Sequence, residues 1–266
     1  MDKKELTCGL IGCGNLGTAL INGLIDAGVP AKNLTATRRH TEALAPLKAA
    51  GVAVTSDNRW CTERARVVIL SVKPYNTDLI LNEISAGIDP KHHIVVSVAT
   101  GIDTARLAAG LPEGTPIFRA MPNTAADVGQ SLTCISHLHA GPSEIDAVNT
   151  VFAALGKVIF IDEELMDSAT VMGACGIAFV MRFVRAMVQG GIEIGFDART
   201  AGAIVQQTVL GAATLLADGN AHPESEIDKV TTPRGCTIAG LNEMEHHGFS
   251  SALIKGITVS FEKIGR

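Results

Sequence analysis

Three groups of residues have the types and spacing to do chemistry. The first is Gly12-Cys13-Gly14-Asn15-Leu16-Gly17, three glycines in the order G-x-G-x-x-G. Gly12 would allow a tight turn, Gly14 would let backbone approach a pyrophosphate, and Gly17 would let a helix sit close on a sheet. Amide groups at Asn15 and Leu16, at the start of that helix, would then face phosphate oxygens with the positive end of its dipole. The second is Thr37-Arg38-Arg39, about twenty residues further on, where an NAD site carries a carboxylate for the ribose hydroxyls. A carboxylate would repel a 2′-phosphate, whereas a hydroxyl and two guanidiniums would bind it. NADPH is therefore expected over NADH. The third is Thr231-Thr232-Pro233-Arg234-Gly235-Cys236-Thr237, hydroxyls and a proline leading into a helix whose N–H groups suit a carboxylate.

The elements that position these groups follow from the apolar pattern. Leu6 to Ile11 is a short apolar run that suits a covered parallel strand. Leu16, Ala19, Leu20, Gly23, Leu24 and Ala27 then recur at helical spacing. Further strands are expected at Leu34–Thr37, Val52–Val54, Arg66–Val72, His93–Ala99, from Ile117, Gln130–Ile135 and Lys157–Ile161. Ligands of an open α/β sheet lie at the carboxyl ends of its strands, so Val72, Lys73 and Pro74 should face the cofactor, with Ala99 at the next strand end. Asn123, after Pro122, could lie beside a nicotinamide or simply form an Asx turn. Past Asp162 strand signals stop. Leu165 to Gln189 is apolar on every face except at Arg182 and Arg185, and Ala198 to Leu216 is similar. The expected fold is α/β, a dinucleotide-binding domain over residues 1–161 followed by an all-helical domain over 162–266.

Composition narrows the class. The 266 residues are 47% hydrophobic and 18% charged, which suggests that much surface is hidden in an oligomer. A formal net charge of −5 argues against nucleic-acid and anionic-membrane partners. Val171 to Met181, the longest greasy stretch, is too short for a bilayer. The six cysteines form no C-x-x-C pair and no zinc spacing, so reduced buried thiols and no metal are expected. With no signal-peptide core read at the start, a cytoplasmic address follows.

The reaction class rests on an absence. A hydroxy-acid dehydrogenase needs a general base for the hydroxyl proton. The helix Met172-Gly173-Ala174-Cys175-Gly176-Ile177, where such a base would stand, has neither Lys nor His. A protonated C=N needs orientation more than a base, which favours an imine substrate.

With these residues assembled, the chain resembles the pyrroline-5-carboxylate reductase family from end to end. The resemblance is carried by Val72-Lys73-Pro74, Ser97-Val98-Ala99-Thr100-Gly101, Arg119-Ala120-Met121-Pro122-Asn123-Thr124 and Val230-Thr231-Thr232-Pro233-x-Gly235-x-Thr237. It implies a Rossmann-like domain and a helical dimerisation domain. It further implies NADPH-dependent reduction of 1-pyrroline-5-carboxylate to L-proline, and an interlocked dimer, often built into a decamer. By position, Thr237 matches the residue that bonds the pyrroline nitrogen, and the 232-to-237 loop with Thr232, Arg234, Gly235 and Cys236 matches the carboxylate site. Asn58 matches a residue near the adenosine. Two segments depart from the family pattern: Gly173 to Phe179 replaces Ser-Gly-Ser-Gly-Pro-Ala-Tyr, and Arg234 replaces the first glycine of Pro-Gly-Gly. They admit two alternatives, a reductase of another carboxylated cyclic imine and a non-catalytic NADP-binding sensor.

Overall fold

A computed structural model describes residues 2–217, 219 and 221–264. The chain divides into two compact units, one reaching to Ala174 and one from Cys175 to Lys263.

The first unit is an eight-stranded sheet of β1 (Cys8–Ile11), β2 (Leu34–Thr37), β3 (Ala53–Thr55), β4 (Val67–Leu70), β5 (Ile94–Ser97), β6 (Ile117–Met121), β7 (Ser131–Leu138) and β8 (Gly156–Phe160). Their order is β3-β2-β1-β4-β5-β6-β7-β8. All neighbours run parallel except β6 and β7. Helices α1 (Asn15–Asp26), α2 (Ala45–Ala49), α3 (Asn58–Glu63), α4 (Thr77–Ile84), α5 (Thr104–Ala109) and α6 (Pro142–Ala153) make the connections. Each expected strand is found, and β1, β4 and β5 are the continuous buried runs that a sheet covered on both faces needs. The pleat sends alternate residues to opposite faces. Val67 and Ile69 join one core with Leu10, Phe118 and Phe152, while Val68 and Leu70 join the other with Ile11 and Leu81. Strand order reverses between β1 and β4, and that reversal opens the ligand crevice of such sheets.

Helical structure begins again at Glu163, through α7 (Met166–Ala169) and a π-helical stretch, Thr170–Cys175, into α8 (Gly176–Glu193). The compact units part at 174/175 rather than at 161/162, and Arg119 on β6 gives the reason. It is 3% exposed, pairs with Glu163 at 3.1 Å and Asp167 at 2.7 Å, and so ties the first turns of the helical run to the sheet. Glu163 also accepts from the Ser136 hydroxyl and from the Thr104 amide. At the start of this helical run the Asp162 side chain makes no capping bond, and Glu163 answers a buried guanidinium.

The second unit continues with α9 (Ala198–Ala217), α10 (Pro223–Val230), α11 (Cys236–His246) and α12 (Phe249–Lys263). Of these, α10 is short and highly charged. No residue of α8 is buried, and Met181, Ile194, Leu210, Leu215 and Ile254 are all more than half exposed. Two helical runs, Glu163–Glu193 and Ala198–Ala217, are long and apolar enough to cross a membrane by length and composition. The length argument made from Val171 to Met181 alone therefore fails, since the helix does not stop at Arg182.

Candidate functional site

The crevice at the β1–β4 reversal is a cavity of about 720 Å³. Of the residues expected to hold a cofactor, it gathers Gly12, Gly14, Asn15, Leu16, Thr37, Arg38, Arg39, Asn58, Val72, Lys73, Pro74 and Ala99. Gly17 and Asn123 are not in its wall. Sequence reasoning missed Ser56, Asn76, Leu79 and Ile80, which also line it. Ser56 directly follows β3, so the rule of strand carboxyl ends would have found it. Asn76, Leu79 and Ile80 carry no motif of their own.

The glycine turn is built as its spacing requires. Gly12 has a φ of +82°, and a Cβ there would come within 2.5 Å of the Val72 side chain. A Cβ on Gly17 would overlap the Leu10 side chain, so its role is packing α1 onto β1. A Cβ on Gly14, by contrast, would meet no atom within 4 Å. That open ground at the start of α1 is where a pyrophosphate fits, with no acidic side chain in the helix's first turn to repel it. Around this ground stand the cations Arg38, Arg39 and Lys73, with His40, and no carboxylate lines the cavity among the described residues. Such a lining suits a polyanion. The residues present fit a dinucleotide.

Thr37 differs from its expected role. It is 1% exposed, and its hydroxyl accepts from the Gly12 amide at 3.2 Å and donates to Asn58 Oδ1 at 2.6 Å. With its proton so engaged it braces the glycine turn and has no donor left for a 2′-phosphate. Arg38 and Arg39 are both exposed and line the cavity. Asn123 is corrected too. Its Oδ1 accepts from the Ala125 amide at 3.0 Å, and its Nδ2 donates to the Gly173 carbonyl at 3.3 Å. The Asx turn is the alternative the structure realises, and the second bond satisfies a carbonyl of the π-helical stretch.

The thiols are more varied than expected. Cys8, Cys13 and Cys61 are buried, Cys134 and Cys175 are half-buried, and Cys236 is exposed; all six are free. Burial pushes the Cys61 thiol up to about 12 and raises Cys13, against weaker opposition from the Thr18 hydroxyl and Arg38. Cys13 therefore contributes bulk to the cavity wall rather than a thiolate.

The 231-to-237 segment lies in the second unit. Gly235 donates to the Thr232 carbonyl at 2.9 Å, closing a turn whose third residue, Arg234, has a φ of +60°. This is the type II position that glycine fills most easily. A Cβ on Gly235 would sit 2.6 Å from Thr232 Oγ1. The turn delivers the chain to α11, whose N-cap Gly235 offers no side-chain acceptor. Cys236 and Thr237 are exposed at its first turn. Among the described residues no hydrogen bond engages the Thr237 hydroxyl, which leaves it open to an external partner.

Two family models match the chain. Residues 7–101 match the family model described as NADP oxidoreductase, coenzyme F420-dependent. Residues 163–265 match the model described as pyrroline-5-carboxylate reductase dimerisation. Pyrroline-5-carboxylate reductase 1 of Dictyostelium discoideum is 45% identical over 96% of this chain, which spans about half (48%) of that relative's length. Pyrroline-5-carboxylate reductase 2 of the same organism is 39% identical over 98% of this chain and 93% of its own. The structure of a pyrroline-5-carboxylate reductase from Coxiella burnetii, 26% identical, superposes with a TM-score of 0.92 over 97% of both chains. The first unit is an NAD(P)-type dinucleotide domain. The chain belongs to the pyrroline-5-carboxylate reductase family.

Proposed function

We propose that the protein reduces 1-pyrroline-5-carboxylate to L-proline with NADPH in preference to NADH. The observation that carries this reading is the cationic cavity over an open Gly14, joined in one chain to the 232-to-237 turn of the family. Residues 1–161 are the cofactor-binding part and 162–266 the dimerisation and substrate part. When bound, NADPH supplies the hydride that the imine carbon receives. Arg38 and Arg39 take the 2′-phosphate, the amides after Gly14 take the pyrophosphate, and Lys73 with Ala99 borders the remainder. Thr237 Oγ1 accepts from the N–H of the protonated pyrroline nitrogen and so orients it, while the backbone of 232–237, with Arg234, Gly235 and Cys236, holds the substrate carboxylate. No side-chain base is required, because a protonated imine already draws hydride.

The exposed apolar faces of α8 and α9 are subunit contacts, and the protein is a homodimer that further contacts can build into a decamer. Arg182 and Arg185 stand within α8, where charges at a bilayer centre cost roughly 2.5–3.5 kcal/mol each. A homodimer covers these faces without that cost. Six free thiols fit a cytoplasmic protein. Replacing Thr237→Ala tests the substrate assignment: kcat should fall at least tenfold with NADPH binding intact, and unchanged kinetics would remove Thr237 from the mechanism.

A further inference from the structure

Behind the cofactor cavity lies a hydrogen-bonded line that no motif announces. Gly12 donates its amide to Thr37 Oγ1 (3.2 Å), Thr37 donates its hydroxyl to Asn58 Oδ1 (2.6 Å), and Asn58 Nδ2 donates to Glu83 Oε2 (2.9 Å). These residues come from the glycine turn, β2, α3 and α4 in turn. We propose that Glu83, through Asn58, is a positioning residue for the dinucleotide site. This rests on the NADPH reading above.

The reasoning is one of donors and acceptors. A side-chain amide can face Thr37 with either end, because a hydroxyl both donates and accepts. An ionised carboxylate only accepts, so Glu83 admits only the amide nitrogen and turns Asn58 Oδ1 toward Thr37. Thr37 must then donate to Asn58, which leaves its oxygen to accept from Gly12 and hold the left-handed turn. One Nδ2 hydrogen of Asn58 stays uncommitted in a residue that lines the cavity. The site therefore presents a donor there, suited to phosphate or ribose oxygens, where an NAD site presents a carboxylate acceptor. The Arg59 side chain also bonds Glu83, but through its backbone carbonyl at 2.9 Å, a contact that side-chain replacement leaves in place.

The test is NADPH affinity, read from nicotinamide fluorescence on the purified full chain, for Glu83→Ala, Glu83→Gln, Asn58→Ala and the Asn58→Ala/Glu83→Ala double variant. A bond to a charged group in a half-buried setting predicts that Glu83→Ala raises Kd about tenfold. The loss should fall in KM for NADPH rather than in kcat. Glu83→Gln keeps the side chain's size but can present either end of its amide, so it no longer fixes Asn58 and should recover only a minor part of the affinity. In the Asn58→Ala background, Glu83→Ala should add nothing, because its effect passes through Asn58. Wild-type affinity in Glu83→Ala, or additive losses in the double variant, would overturn the proposal. Failure of the unsubstituted protein to bind NADPH would instead overturn the dinucleotide reading and this inference with it.

Discussion

Removing the two guanidiniums at the end of β2 should convert an NADPH enzyme into one nearly indifferent to the 2′-phosphate. Arg38 and Arg39 both line the cavity, and no carboxylate shares that lining among the described residues, so nothing offsets their charge. A charge-assisted bond to phosphate contributes roughly 1.5–3 kcal/mol when sheltered. Both side chains are exposed, so solvent screening reduces each to about 1 kcal/mol. Together they contribute about 2 kcal/mol, which corresponds to about 30-fold in affinity. For the double variant Arg38→Ala/Arg39→Ala we predict a loss of that size in kcat/KM for NADPH, with NADH changed less than about threefold. The backbone bond from the Arg38 amide to the Thr55 carbonyl (3.2 Å) survives the substitution, so the strand end should keep its shape. Raising the salt concentration should erode the NADPH advantage of the wild type, because exposed charges are screened. Equal losses for both cofactors would refute the reasoning, and would mean that the two arginines shape the crevice without touching the extra phosphate.

Two further substitutions separate folding from binding within one motif. Gly14→Ala meets no protein atom, so the melting temperature should stay within about 2 °C while NADPH affinity falls more than tenfold; wild-type affinity would show that no phosphate sits there. Gly17→Ala runs into Leu10 and should destabilise the fold by about 1–3 kcal/mol, measured by denaturant unfolding. Arg234→Gly should be stabilising. The left-handed backbone of a non-glycine residue costs about 1–2 kcal/mol, and the greater freedom of glycine in the unfolded chain returns up to about 1 kcal/mol. A melting temperature lower than that of the wild type would show that the Arg234 side chain has contacts that outweigh the strain.

The dinucleotide fold was legible because the central strands β1, β4 and β5 are short apolar runs and the glycine turn directly follows β1. The rule of strand carboxyl ends then placed Val72, Lys73, Pro74 and Ala99 on the cavity without any coordinates. What it could not supply was hydrogen-bond commitment. Thr37 has the right residue type for a phosphate ligand, yet its proton belongs to Asn58, which lies 21 residues away in sequence. Asn123 was weighed for two roles, and its bonds to Ala125 and Gly173 select the turn. The break in the helical run at Thr170–Cys175 was equally hidden, since a π turn leaves the apolar composition unchanged. Its start is fixed by Arg119, Glu163 and Asp167, a contact across 44 and 48 residues of sequence.

The central claim is NADPH-dependent reduction of 1-pyrroline-5-carboxylate, and the direct test is NADPH oxidation by the purified protein with that imine, followed at the nicotinamide absorbance. Turnover on the order of 1–1000 per second, with L-proline accumulating in step, is the predicted result. Tight NADPH binding without turnover of that imine would contradict it, and would mean that the altered 173–179 and 233–237 segments serve a different substrate.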